Sequence, residues 1–296
     1  ERLKKSDRAA ATVEGILRHL KAALNWAHEQ ELIQTVPKMP RQNKVRQAKF
    51  MKGRPITAEE FDRMLAAIEK VWPDHKHDRN NANIRREEQR KSIRLLLHGL
   101  WLSGLRLGEA LSLTWDQWAD GIWVDMTGEF VMLRIPAESE KGGQDRVYPV
   151  TPDFAELLRS IPEQSREGFV FNPILYRGVC RRTDTVSKAI TSIGEAAGVK
   201  VDEKPSKVKG GKPTPVWASA HDLRRAFGHR WSREVTSMVL KELMRHASVT
   251  TTEKYYVGIS ADATARVLQD LLSKRRGEQE NAPKEVAQVD PQVDPE

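Results

Sequence analysis

Apolar residues recur at helical spacing over most of the chain and switch to alternation in one short stretch. Val13, Ile16, Leu17, Leu20, Leu24 and Ala27 line one face of a predicted amphipathic helix over residues 11–28, with Arg18, His19 and Lys21 off that face. "PITAEEFDRMLAAIEKVW" predicts a second helix, in which Thr57 caps the start and Glu60 completes a capping box. A polar loop is expected near residues 73–85, followed by a helical stretch carrying Ile93 to Trp101. Gly104 then breaks the pattern before another helix in "LRLGEALSL". Between residues 121 and 150 the period changes. "IWVDM", "VMLRIP" and "RVYPV" read as three short strands joined by "TGE" and "AESEKGGQD", a small antiparallel sheet. From Pro152 the helical period returns, near 152–160, 184–197, 219–233, 236–245, 249–256 and 260–274. A lysine-rich insert, "DEKPSKVKGGKPTP", interrupts it at 202–215. The expected fold is mainly α with a small three-stranded antiparallel sheet, an α+β protein.

Composition shifts mark the boundaries. Residues 36–54 hold seven Lys or Arg, no acid and two prolines, so they read as an extended basic linker, solvated or lying along phosphates. Lys44, Arg46 and Lys49 are its candidates for backbone phosphate contacts. The helix before the linker cannot bury its apolar face alone. It is either the last part of a small helical domain, residues 1–35, or a helix docked on the main body. The chain starts at Glu1 rather than Met and reads as a fragment. Residues 55–276 form the main domain, and the polar, acidic, Pro-containing stretch 277–296 reads as a disordered tail.

Charge sharpens this picture. The total is +8, but the tail carries one Lys against six acidic residues, which leaves +13 on the remainder. Such a body suits a polyanion, nucleic acid being the usual one, or simply a basic soluble enzyme. Cys180 is the only cysteine, so no internal disulfide or thiolate metal cluster can form, in keeping with a reducing cytosol. No apolar run is long enough to span a bilayer. "GGKPT" lacks the residues of a phosphate loop, and no metal-binding motif is present.

Three separated stretches carry the candidate chemistry. In "SGLRLGEALSL", Arg106 follows a glycine turn and has Glu109 three residues on, the pattern of an anion clamp or of a structural salt bridge. In "HDLRRAFGHRW", His221 and Arg224 share a helix face, and Leu223 and Phe227 supply an apolar contact to the core. Arg225 points elsewhere, towards a phosphate backbone or solvent. In "LKELMRHASVTTTEKYYVG", His246 ends a helix, and Tyr255 and Tyr256 follow at an angular separation that lets only one face the site of His246. Each stretch alone fits an ordinary structural role.

Together, in this order and with a lysine hairpin between the first and second, the stretches resemble the tyrosine recombinases of the phage-integrase family, over residues 50–276. The resemblance implies a catalytic domain preceded by a helical core-binding domain, of which residues 1–35 would be the C-terminal part. It matches Arg106, Lys141, His221, Arg224 and His246 to the family's catalytic set and Tyr255, nine positions after His246, to its nucleophile, with Tyr256 the lesser candidate. The implied activity is site-specific cutting and rejoining of double-stranded DNA through a 3′-phosphotyrosyl intermediate, without cofactor, metal or ATP. A DNA-binding protein without strand transfer and a type IB topoisomerase are the alternatives. The resemblance further implies a homotetramer on two DNA sites, packed through helix 260–274, with no membrane association and a cytoplasmic, nucleoid-associated location. One departure stands out: the family usually has Gly before its second histidine, and this chain has Arg245, whose side chain either reshapes the turn or adds a DNA-backbone contact.

Overall fold

A computed structural model describes residues 10–39, 53–74, 82–117, 121–139, 145–175, 178–206 and 210–246. The chain divides into two units, residues 1–50 and 51–296. The first holds helix α1 (Ala10–Glu29), in which Val13 is buried and Leu20 and Trp26 are exposed.

The second unit is built on α2 (Ala58–Val71), α3 (Ala82–Ser103), α5 (Pro152–Ser160) and α6 (Thr183–Ala196). Helix α2 starts where its capping box predicts. The Thr57 hydroxyl accepts the Glu60 N–H at 3.2 Å, and the Glu60 carboxylate accepts the Thr57 N–H at 3.0 Å. This satisfies two donors that a helix start otherwise leaves unpaired. Phe61, Met64 and Ile68 then fall on one buried face, against Ile93, Leu96, Leu97 and Leu100 of α3, Phe154 and Leu158 of α5, and Ile190 and Ile193 of α6. Helix α3 begins inside the stretch expected to be a loop, at Ala82. Its first turns are polar although half-buried, and polarity alone reads as a loop.

The three strands form as expected: β1 (Trp123–Asp125), β2 (Met132–Ile135) and β3 (Arg146–Pro149), antiparallel in that order. Val124 pairs with Leu133, and Leu133 with Tyr148. These three are buried, whereas Arg134 and Val147 on the opposite face are exposed, the two-residue period of a half-buried sheet. Two hairpins lie outside the expectation. One is β4 (Ile174–Leu175) with β5 (Gly178–Val179); the other is β6 (Lys200–Lys204) with β7 (Thr214–Trp217). The flanks of the lysine-rich insert therefore pair with each other.

Lys44, Arg46 and Lys49 lie outside the described residues. Arg54, the last cation of the basic stretch, is fixed on the second unit: its guanidinium donates twice to Glu60 at 2.6 Å and once to the Lys200 carbonyl at 2.8 Å. Helices α4 (Leu107–Ser112), α7 (Ala220–Trp231) and α8 (Ser237–Leu243) complete the described α-helices and carry the site.

Candidate active site

The site begins with a glycine at a close approach of two helices. Gly104 ends α3 at φ +60°, and a Cβ there would stand 2.3 Å from the Phe227 ring. The turn brings the chain hard against α7 and leaves the Gly104 carbonyl facing inward. Arg106 follows at the N-cap of α4. The Glu109 carboxylate accepts its backbone N–H at 2.8 Å and its guanidinium at 2.6 Å. A carboxylate in the first turn suits the positive end of the helix and holds the arginine against it. The Arg106 side chain remains 53% exposed, so it stands at the open side of the site.

Helix α7 supplies the floor. Ser219 caps it, with both its N–H and its hydroxyl on Asp222, at 2.9 and 2.7 Å. Leu223 and Phe227 are fully buried, as the i, i+4 pattern predicts. Arg224 between them is only 4% exposed. A buried guanidinium needs fixed acceptors. One Nη donates to the Gly104 carbonyl at 2.5 Å and the other to the Met244 carbonyl, so two chain reversals far apart in sequence clamp one planar fork.

The third segment closes the ring. Leu240 and Met244 pack on Phe227 at the end of α8. The chain then turns through Arg245, which is left-handed at φ 49°. This turn places His246 beside the arginines. The Arg245 guanidinium folds inward, 8% exposed, and donates to Glu109 at 3.0 Å and to the Gly104 carbonyl at 3.4 Å. Arg224 is 4.0 Å from the same carboxylate. One carboxylate thus sits among three guanidiniums, drawn from positions 106, 224 and 245.

The electrostatics follow from that count. Burial would raise the Glu109 pKa, but Arg245, the hydrogen bonds from Arg106 and the charge of Arg224 outweigh it, and the carboxyl is held below its usual range. His246 is pushed down to about 4, first by burial and then by Arg224, Arg106 and Arg245. His221, at the outer side of α7, is also lowered. Partial desolvation leads, then Arg225, against the opposing Asp222, with Arg224 and Arg106 adding to it. At neutral pH both imidazoles are neutral, and the cluster carries three cations against one anion. It is built to receive negative charge.

Of the sequence-derived residues, Arg106, His221, Arg224 and His246 come together. Lys141 and Tyr255 lie outside the described residues, as do Tyr256 and helix 260–274. Two candidates for DNA-backbone contacts are engaged within the protein. Arg225 is only 15% exposed and pairs with Asp222. Arg245 is turned inward onto Glu109. Asp222, three residues before Arg225, was a visible signal for the first pair; Glu109, 136 residues from Arg245, was not. Among the described residues no group of three or more His, Cys, Asp or Glu is placed to hold a metal ion, and no helix is long and apolar enough to cross a membrane.

The comparison with family models matches residues 54–263 to the phage integrase family. The chain belongs to this family. Tyrosine recombinase XerA of Pyrococcus furiosus is 27% identical over 189 residues, which span 62% of this chain and 53% of the relative. The chain therefore matches about half of that relative's length. Among solved structures, a Tn1549 transposon integrase in complex with a circular intermediate DNA superposes with a TM-score of 0.53 at 17% identity, covering 91% of this chain and 82% of that one. XerH site-specific recombinase bound to its difH substrate gives 0.50 at 17% identity, covering 84% and 62%. As a member of the phage integrase family, the chain folds as a mainly helical protein with small antiparallel sheets.

Proposed function

We propose that this phage integrase family chain is a site-specific DNA recombinase that acts on double-stranded DNA through a 3′-phosphotyrosyl intermediate. The observation that carries the reading is the convergence of Arg106, Arg224 and His246 from three separated segments around Glu109 and the Gly104 carbonyl. One scissile phosphate would take its place against this cluster. As Tyr255 attacks phosphorus, charge builds on the two non-bridging oxygens. Arg106, at the open side, and Arg224, on the floor, suit that charge because each offers a planar fork of donors. Removing one such donor typically raises the barrier by ~3 kcal/mol.

The neutral histidines fit the same step. A neutral imidazole can donate to a phosphate oxygen or accept the phenol proton, whereas an imidazolium can only donate. Tyr255 has an ordinary pKa of about 10, and nearby cations favour its phenolate. Lys141, in the β2–β3 connection beside Gly142 and Gly143, is assigned as the acid that protonates the leaving 5′ oxygen. The phosphotyrosyl bond conserves the energy of the broken phosphodiester, so the 5′ hydroxyl can reverse the reaction without ATP. The same reading assigns helix 260–274 to packing between protomers in a homotetramer on two DNA sites, in the cytoplasm with the nucleoid.

The test is covalent trapping on a nicked suicide duplex carrying a candidate attachment site taken from the DNA that flanks the gene. Wild type is expected to trap a protein–DNA adduct and Tyr255→Phe none. Equal trapping by Tyr255→Phe overturns the nucleophile. Relaxation of supercoiled DNA lacking the site, with no site preference, would favour topoisomerase action.

A further inference from the structure

We infer that Arg245 is a positioning residue of this site: it neutralises Glu109 so that Arg106 can serve the phosphate, and it locks the turn that presents His246. The inference rests on the strand-transfer reading for its kinetic part and on geometry for the rest. Glu109 makes two bonds to Arg106, one to the backbone and one to the guanidinium. Without Arg245, that carboxylate would be countered only by Arg106 and, at 4.0 Å, by Arg224, and would offset more of their charge towards an incoming phosphate. Arg245 meets the same carboxylate at 3.0 Å, on the oxygen that also accepts the Arg106 N–H. Its second tie, to the Gly104 carbonyl that also holds Arg224, joins all three segments through one side chain.

The backbone supports a dedicated role. Arg245 sits at φ 49°, in the left-handed region. A non-glycine residue there costs ~1–2 kcal/mol. Glycine would fill the turn without strain but bring no charge. Arginine here accepts the strain and supplies a guanidinium that does not reach solvent, being 8% exposed. It therefore acts through Glu109, Arg106 and His246, not on the phosphate.

The experiment compares Arg245→Gly, Arg245→Lys and Arg245→Gly with Glu109→Gln in the full chain. Thermal melts establish folding, and relief of backbone strain favours Arg245→Gly. Two readouts follow. Histidine-selective NMR titration follows His246, whose charged neighbours are Arg224 of α7, Arg106 at the start of α4 and Arg245 itself. Removing Arg245 should move the His246 pKa upward, whether or not the protein cleaves DNA. Single-turnover trapping should slow about 10- to 100-fold in Arg245→Gly with DNA affinity nearly unchanged. Arg245→Lys should recover part of the rate, and Glu109→Gln should recover most of it, because it removes the charge that Arg245 offsets. A rate within twofold of wild type, or a slow variant that Glu109→Gln fails to rescue, overturns the inference. If wild type traps no DNA while the His246 pKa still shifts, the strand-transfer reading fails and the positioning role stands. If the pKa stays unmoved in a folded Arg245→Gly protein, the positioning role fails.

Discussion

Helix α7 carries two arginines six positions apart, Arg224 buried and Arg230 half-buried, and they are held in opposite ways. Arg224 lies between two backbone carbonyls and within 4.0 Å of a carboxylate shared with two further arginines. Arg230 sits over Trp101, its Cζ 3.6 Å from the ring centroid, with one hydrogen bond to the Trp101 carbonyl at 2.6 Å. Trp101 in turn stacks on Phe61 at 4.4 Å. Burial pushes the Arg230 pKa down to about 10, with only Asp153 opposing. The Arg230 guanidinium packs as the last plate of an aromatic stack. That of Arg224 is fixed by chain reversals that themselves carry Arg106 and His246. The difference teaches that burial alone does not identify a catalytic cation; what matters is whether its partners deliver further chemistry to the same point.

The largest test of this contrast is Arg224→Lys. A lysine offers a point charge where a planar fork is clamped, so trapping on the suicide duplex should fall by two to three decades, or ~3–4 kcal/mol of barrier. Next is Gly104→Ala, measured by chemical denaturation. The added Cβ meets Phe227 and the backbone stays left-handed, so a loss of ~2–4 kcal/mol is expected. Arg230→Met should be milder. It removes a cation–π contact and one hydrogen bond but also a buried donor, Nη1, that has no partner among the described residues. A stability change within ~2 kcal/mol is expected, with trapping unchanged.

The smallest effect is a pH dependence. His246 titrates near 4 when folded and near an ordinary 6.5 when unfolded, so between these values the unfolded chain binds the extra proton. Its contribution to stability is therefore complete above pH 6.5 and fades as pH falls towards 4. His221, also lowered, acts in the same direction. Denaturation midpoints measured from pH 7 to 5 should decline, and replacing His246 by Gln should flatten the decline.

How far the sequence spoke for itself follows the same divide between local and distant partners. The α2 capping box, the three-strand sheet and the buried pair Leu223 and Phe227 were legible because their signals lie within a few residues of one another. The resemblance led to Arg106, His221, Arg224 and His246 through motif order. The β6–β7 hairpin was not legible: Lys200, Asp202, Glu203 and Lys204 show no apolar alternation, and the pairing slips register between Lys200 and Asp202. The inward turn of Arg245 was not legible, because its partners Glu109 and Gly104 lie in a segment far earlier in the chain.

The central claim is that one phosphate-sized anion binds where the three segments meet. Crystals of the full chain grown with tungstate test it through the anomalous signal of tungsten. The account predicts one ion in contact with the Arg106 and Arg224 guanidiniums, with His221 or His246 at hydrogen-bond distance. Density absent there at saturating tungstate, or found only against Arg230, would contradict it.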